Sequence, residues 1–150
     1  MQASVETPVG WLTLTEEDGA ITAVRWRQGA GAASTPILRQ AMAELEAYFA
    51  GDLTVFTVPL APSGSTFQRA VCDAISAIPY GYTRTYGEIA ADLGQSAQSV
   101  GQACGGNQIP ILIPCHRVMG AKGLTGFSGG GGVETKVALL RHEGAASLLI

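Results

Sequence analysis

The chain is poor in charge. Only 14% of its 150 residues are Asp, Glu, Lys or Arg, and the formal net charge is −3. A basic field that holds nucleic acid by itself is therefore disfavoured. Histidine is scarcer still, with only His116 and His142. Cysteine occurs three times, at Cys72, Cys104 and Cys115, an odd number without a Cys-x-x-Cys pair. This argues against a disulfide framework and a zinc knuckle, so no metal is expected. Reduced thiols are the simplest reading, which makes a cytoplasmic location the expectation. No apolar run approaches the ~20 residues that span a bilayer. The segment MQASVETPVGW has no basic stretch followed by an apolar one, so neither a membrane partner nor a signal peptide is expected. The chain has no internal repeat, and a monomer is the default.

What is abundant is apolar. Residues of that type make up 47%, enough for a sizeable core in one compact unit or two small ones. Glycine is also frequent, with 20 residues, several of them clustered near the C-terminus where a loop needs backbone freedom or close approach to a ligand. Charge is unevenly spread. Residues 1–63 carry three arginines against seven carboxylates, whereas residues 64–150 carry six basic against five acidic side chains. An anionic partner should prefer the second part.

Periodicity divides the chain at about residue 62. Val9 to Thr15 and Ala20 to Trp26 alternate as strands of a hairpin around Glu17-Asp18-Gly19. Ser34 or Thr35 caps a helix with Pro36 in its first turn, and Ile37, Leu38, Ala41, Leu45, Tyr48 and Phe49 recur at helical spacing up to Gly51. Val55 to Leu60 reads as a third strand, and 61–64 as a linker. A helix then runs from Ser65 or Thr66 through Ala77. Thr85-x-x-Glu88 is a capping box that starts a short helix from Tyr86 to Leu93, ended by Gly94. Ser96 caps a second short helix through Cys104. The pair has the form of a helix-turn-helix. Ile109 to Pro114 holds two prolines and reads as an extended buried segment. A glycine-rich loop spans 120–132, and a final helix, 133–143, should pack Val137, Leu139 and Leu140. The fold class is α+β. A small antiparallel sheet with a helix occupies 1–62, and a mainly helical unit occupies 63–150.

Chemistry concentrates at the end of the apolar segment. Cys115 precedes His116, and a thiol becomes a nucleophile when a base lies beside it. Neighbours in sequence need not point together, so a buried structural cysteine competes with this reading. Glu143, beside His142, could orient an imidazole, as in a nucleophile–base–acid relay. A solvated carboxylate at a helix end is its ordinary alternative.

The run NQIPILIPCHRVMG, Asn107 through Gly120, resembles the active-site segment of the O6-alkylguanine-DNA alkyltransferase family. TYGEIA at 85–90, SGG at 128–130 and HEG at 142–144 are similar too, and TPVGWLTLTEEDGAI resembles that family's first domain. The resemblance covers nearly the whole chain. It implies a ribonuclease H-like first domain, then a winged-helix-like DNA-binding and alkyl-transfer domain with an active-site loop. It also implies direct-reversal repair: an alkylated guanine is rotated out of the duplex, and its alkyl group moves irreversibly to Cys115, once per molecule and without a cofactor. The partner it implies is double-stranded DNA bearing O6-alkylguanine, entered from the minor groove with little sequence preference.

By the same resemblance His116 draws the thiol proton through a water while Glu143 holds the imidazole. Tyr86 serves the purine ring nitrogen, although it could instead be a packing residue at a helix start. Asn107 braces the turn before the cysteine. Val118, Phe127, Ser128 and Gly129 line the pocket, with the carbonyls of Cys115 and Val118 accepting the exocyclic amine. Ala97, Gln98, Ser99 and Gln102 present the recognition helix, and Arg84 is a candidate phosphate contact. Arg117 is read as a buried ion-pair partner; Lys136 stays open between a functional and a solvated role.

The sequence departs from the family pattern at Gln98, where an arginine usually fills the space left by the flipped base. An amide lacks the cation and the stacking plane, so weaker DNA binding or slower repair is expected. Phe127 also stands where a tyrosine is common. A lesion-recognition module that lacks transfer, or a thiol alkyl acceptor with weakened DNA binding, is the alternative.

Overall fold

The computed structural model describes residues 1–29, 31–120 and 132–145. The chain divides into two units, Met1–Pro62 and Ser63–Ile150.

In the first unit, alternating side chains build a three-stranded antiparallel sheet in the order β1 (Gln2–Thr7), β2 (Gly10–Glu17), β3 (Ala20–Arg25). The register places Ala3 opposite Leu14 and Val5 opposite Leu12, all on the buried face. Strand β1 was absent from the sequence reading because its six residues hold only those two apolar side chains. Helix α1 (Pro36–Phe49) covers the sheet. Thr35 caps it by accepting from Leu38 N–H at 3.1 Å, and Leu38, Ala41, Leu45 and Tyr48 form its buried stripe.

The expected strand at 55–60 does not form. Its donors go elsewhere: Glu44 of α1 accepts from the N–H groups of Thr57 at 2.9 Å and Val58 at 3.0 Å, and from the Thr57 hydroxyl at 2.6 Å. Burial works upward on the Glu44 carboxyl, but these bonds outweigh it and hold its pKa below the ordinary value. Only one isolated parallel bridge, Ile21 with Leu60, ties the segment to β3.

The second unit runs α2 (Thr66–Ser76), β4 (Arg84–Thr85), α3 (Tyr86–Leu93), α4 (Ala97–Gly105), a 3₁₀ turn (Cys115–Arg117), β5 (Val118–Met119) and α5 (Val133–His142). Thr85 and Glu88 make the reciprocal capping box, and Gly94 closes α3 in the left-handed region at φ 65°. Ser96 caps α4 through Ser99 N–H at 3.1 Å. The two short helices pack on each other, and Gln68 of α2 donates to Ala103 O of α4 at 2.7 Å.

Residues 109–114 are buried but not extended, which corrects the sequence reading. Leu112 N–H bonds Pro110 O and Ile113 N–H bonds Ile109 O, both at 2.9 Å. Ile111 between them has φ 72°, a γ-turn of the rare positive-φ kind. The Asn107 side chain holds the turn at both ends. Its amide donates to Ile113 O and its oxygen accepts from Ile109 N–H, each at 3.0 Å. In α5 the inward face is Thr135, Lys136, Leu139 and Leu140. Val137, expected inside, is only half-buried, because the face turns one residue earlier.

Candidate active site

The compact turn delivers Cys115 at the start of the 3₁₀ turn, whose side chains are buried. Burial pushes the Cys115 thiol up from its ordinary value, against opposing pulls from the Asn107 side chain and the Lys136 charge. The sulfur therefore keeps its proton at neutral pH, and a base would have to take it before the sulfur could act as a nucleophile.

His116 is fully buried and Glu143 nearly so. His116 Nε2 lies 2.7 Å from Glu143 Oε2. A carboxylate only accepts, so Nε2 carries the proton and Nδ1 holds the lone pair. Nδ1 is buried without a protein hydrogen-bond partner among the described residues. Burial lowers the His116 pKa, outweighing the pull of Glu143 in the other direction. The imidazole is thus a neutral base with one free site.

Glu143 is shared. Arg117 Nε donates to its Oε1 at 2.8 Å and a terminal guanidinium nitrogen to its Oε2 at 3.0 Å. The other terminal nitrogen reaches Ile78 O at 2.7 Å, and the guanidinium lies 5.8 Å from the centre of the Tyr80 ring. This bidentate geometry is the one an ionised carboxylate makes. Glu143 follows the last residue of α5, and Gly144, at φ 66°, ends that helix, with Gly144 N–H bonding Arg141 O and Ala145 N–H bonding Leu140 O.

Lys136 is completely buried, one turn before Leu139 and Leu140 on the same face. That i, i+3, i+4 spacing was the signal in the sequence that it points inward. Its ammonium donates to Val118 O and lies 5.9 Å from the centre of the Tyr86 ring. Desolvation lowers its pKa. Tyr86, at the first position of α3, is half-buried, and burial pushes its phenol up to about 12. It is a proton donor at neutral pH. Tyr80, whose hydroxyl donates to His142 O at 3.3 Å, was not singled out from the sequence, and no local pattern marks it.

On α4, Ala97, Gln98 and Gln102 are exposed and Ser99 is half-buried against the Ser96 hydroxyl at 2.8 Å. Arg84 pairs with Asp92 at 2.8 Å on the surface, a weak bond that a phosphate can displace. Phe127, Ser128 and Gly129 lie outside the described residues. No group of three or more His, Cys, Asp or Glu among the described residues could hold a metal ion, and none of the described helices is long and apolar enough to cross a membrane.

Fold and site together place the chain among α+β proteins with a buried cysteine next to a histidine–carboxylate pair. Residues 66–145 match the family described as 6-O-methylguanine DNA methyltransferase, DNA binding domain. Residues 1–62 match its ribonuclease-like domain. A methylated-DNA–protein-cysteine methyltransferase of Methanosarcina acetivorans is 42% identical over 154 residues, covering 95% of this chain and 97% of the relative. The constitutive one of Bacillus subtilis is 40% identical, covering 93% of each. Among solved structures, the Mycobacterium tuberculosis O6-methylguanine methyltransferase superposes with a TM-score of 0.84 at 41% identity, covering 95% of this chain and 92% of that one. A structure of that organism's protein in complex with DNA gives 0.83 at 40% identity, covering 98% and 96%. The chain belongs to the 6-O-methylguanine DNA methyltransferase family.

Proposed function

We propose that this protein repairs DNA by direct reversal, moving the alkyl group of O6-alkylguanine to the sulfur of Cys115. One observation carries this reading. Cys115 starts the turn that holds His116 against Glu143 at 2.7 Å, in a chain that matches named cysteine methyltransferases along nearly its whole length.

The residues divide the work as follows. His116 Nδ1 takes the thiol proton through one bridging water, and Glu143 fixes the tautomer that leaves Nδ1 open. The thiolate attacks the alkyl carbon, the carbon–O6 bond breaks, and its electron pair returns to the guanine. Tyr86, protonated at neutral pH, donates to a ring nitrogen as that charge develops. Val118 O, already accepting from Lys136, keeps a second lone pair for the exocyclic amine, beside the carbonyl of Cys115. Phe127, Ser128 and Gly129, outside the described residues, are assigned to substrate binding by the resemblance alone. A thioether does not leave, so each molecule acts once, with no cofactor and no metal.

DNA meets the exposed side of α4. Gln98 and Gln102 stand one turn apart there, and an added side-chain carbon at Gly101 or Gly105 would meet nothing within 4 Å. Such a surface suits the minor groove of duplex DNA, with Ala97 and Ser99 near the helix start and Arg84 on a phosphate. Little sequence preference follows, because the lesion is the target. Three free cysteines support a reducing compartment, the cytoplasm, and the protein acts as a monomer.

The test is intact-protein mass spectrometry after mixing with a duplex that carries O6-methylguanine. The expected result is a gain of one methylene, mapped to Cys115, and no gain for Cys115→Ser. Retention of the duplex without the gain would leave a lesion-recognition module; gain in Cys115→Ser would assign the chemistry to another residue.

A further inference from the structure

We propose that Arg117 is a positioning residue for the transfer: by holding both oxygens of Glu143, it keeps His116 a neutral imidazole with an open lone pair on Nδ1. The geometry is specific. Glu143 receives two hydrogen bonds from Arg117, at 2.8 and 3.0 Å, and shares Oε2 with His116 at 2.7 Å. All three side chains are buried, so their charges are felt at low dielectric.

The charge balance explains the need for this arginine. With Arg117 present, guanidinium and carboxylate cancel, and a neutral imidazole leaves the buried group without net charge. Without it, the carboxylate loses two hydrogen bonds and the guanidinium charge that they carry. His116, already 2.7 Å from that carboxylate, would then bind a proton from water and rest as imidazolium. An imidazolium has no lone pair for the Cys115 proton. Moving that proton from sulfur to Nδ1 then requires the site to start unloaded, which is the state Arg117 enforces.

Among the described residues, Lys136 acts in the same sense, and Tyr80 and Cys115 are neutral. Lys136 of α5 is a second cation whose charge opposes a proton on the imidazole. Tyr80 flanks the Arg117–Glu143 pair as a phenol, and Cys115 rests as a thiol. Arg117 is anchored independently by Ile78 O, so its position does not depend on His116.

The test reads His116 directly. The chain has two histidines, so nitrogen NMR of the free protein resolves each titration. In the wild type we expect a neutral His116 with the proton on Nε2 at pH 7. In Arg117→Gln we expect imidazolium at pH 7, a transfer rate at least tenfold lower there, and recovery of the rate as pH rises. Arg117→Lys keeps the charge but not both bonds, so its His116 midpoint should lie between the two. A folded Arg117→Gln with a neutral His116 and an unmoved pH–rate profile overturns the inference, as does a wild-type imidazolium at pH 7. Should Arg117→Gln fail to fold, an unmoved midpoint in Arg117→Lys overturns it equally. The consequence for rate rests on the alkyl-transfer reading, but the titration is measured without DNA. A wild type that takes no methyl group would therefore sink that reading and leave this result standing.

Discussion

A single amide, Asn107, decides whether the thiol has a floor to stand on. Its side chain satisfies Ile113 O and Ile109 N–H, and its own N–H reaches Cys104 O at 3.2 Å. Between those anchors Ile111 sits at φ 72°, a conformation that costs a β-branched residue about 1–2 kcal/mol. Asn107→Ala should therefore lose about 2 kcal/mol of stability, since two backbone groups lose their partner. Urea unfolding measures this, and the rate of methyl uptake should fall with it. The role of Asn107 was visible in the sequence only through resemblance. The shape of its turn was not visible, because isoleucine and proline signal burial and extension, and nothing in their identity announces a positive φ. Glu143 shows the same limit. Its partners His116 and Arg117 lie 27 and 26 residues away, so no local pattern shows that this helix-end carboxylate is buried, and only the resemblance pointed to its pairing with His116.

Elements with local causes were legible. The capping box at Thr85 and Glu88, the serine cap at Ser96 and the glycine stop at Gly94 fixed α3 and α4 because each is an interaction within four residues. Elements with distant causes were missed, such as the two-residue ladder in which Arg84 pairs with Val118 and Thr85 with Met119. Helix α5 lies between these cases. Its end is set by Gly144, and a side-chain carbon there would meet nothing within 4 Å, so any penalty for replacing it is conformational. Gly144→Ala should cost about 1 kcal/mol in thermal or urea unfolding. Because Glu143 precedes it, the same variant should also slow methyl transfer, whereas a purely local strain would leave the rate alone.

At the scale of the whole molecule, the buried groups set a window of stability against pH. His116 is shifted below its ordinary 6.5, so the unfolded chain binds a proton that the fold refuses. Its contribution is present above pH 6.5 and is lost as pH falls below it. Cys104 is raised to about 12, and Cys115 is raised too, from an ordinary 9.0. Their contribution is present below pH 9 and is lost as pH climbs past it, because the unfolded thiols release protons that the folded ones keep. Urea midpoints measured from pH 5 to 10 should form a dome, falling on the acid side with His116 and on the alkaline side with the thiols. A flat acid limb would contradict the burial of the imidazole.

The parallel ladder between β4 and β5 has a consequence for how such a chain can change over time. It pairs Thr85, the residue before Tyr86, with Met119, and Arg84 with Val118, so the start of α3 is tied directly to the end of the cysteine turn, although 28 residues of chain lie between Tyr86 and Cys115. Between the two strands, the exposed positions of α4, Gln98 and Gln102 among them, stand apart from Tyr86, Asn107, Cys115, His116 and Arg117, which lie in the same stretch and carry the proposed chemistry. On the proposed reading, a change at exposed Gln98 should alter how DNA is held while leaving the thiol and its base in place.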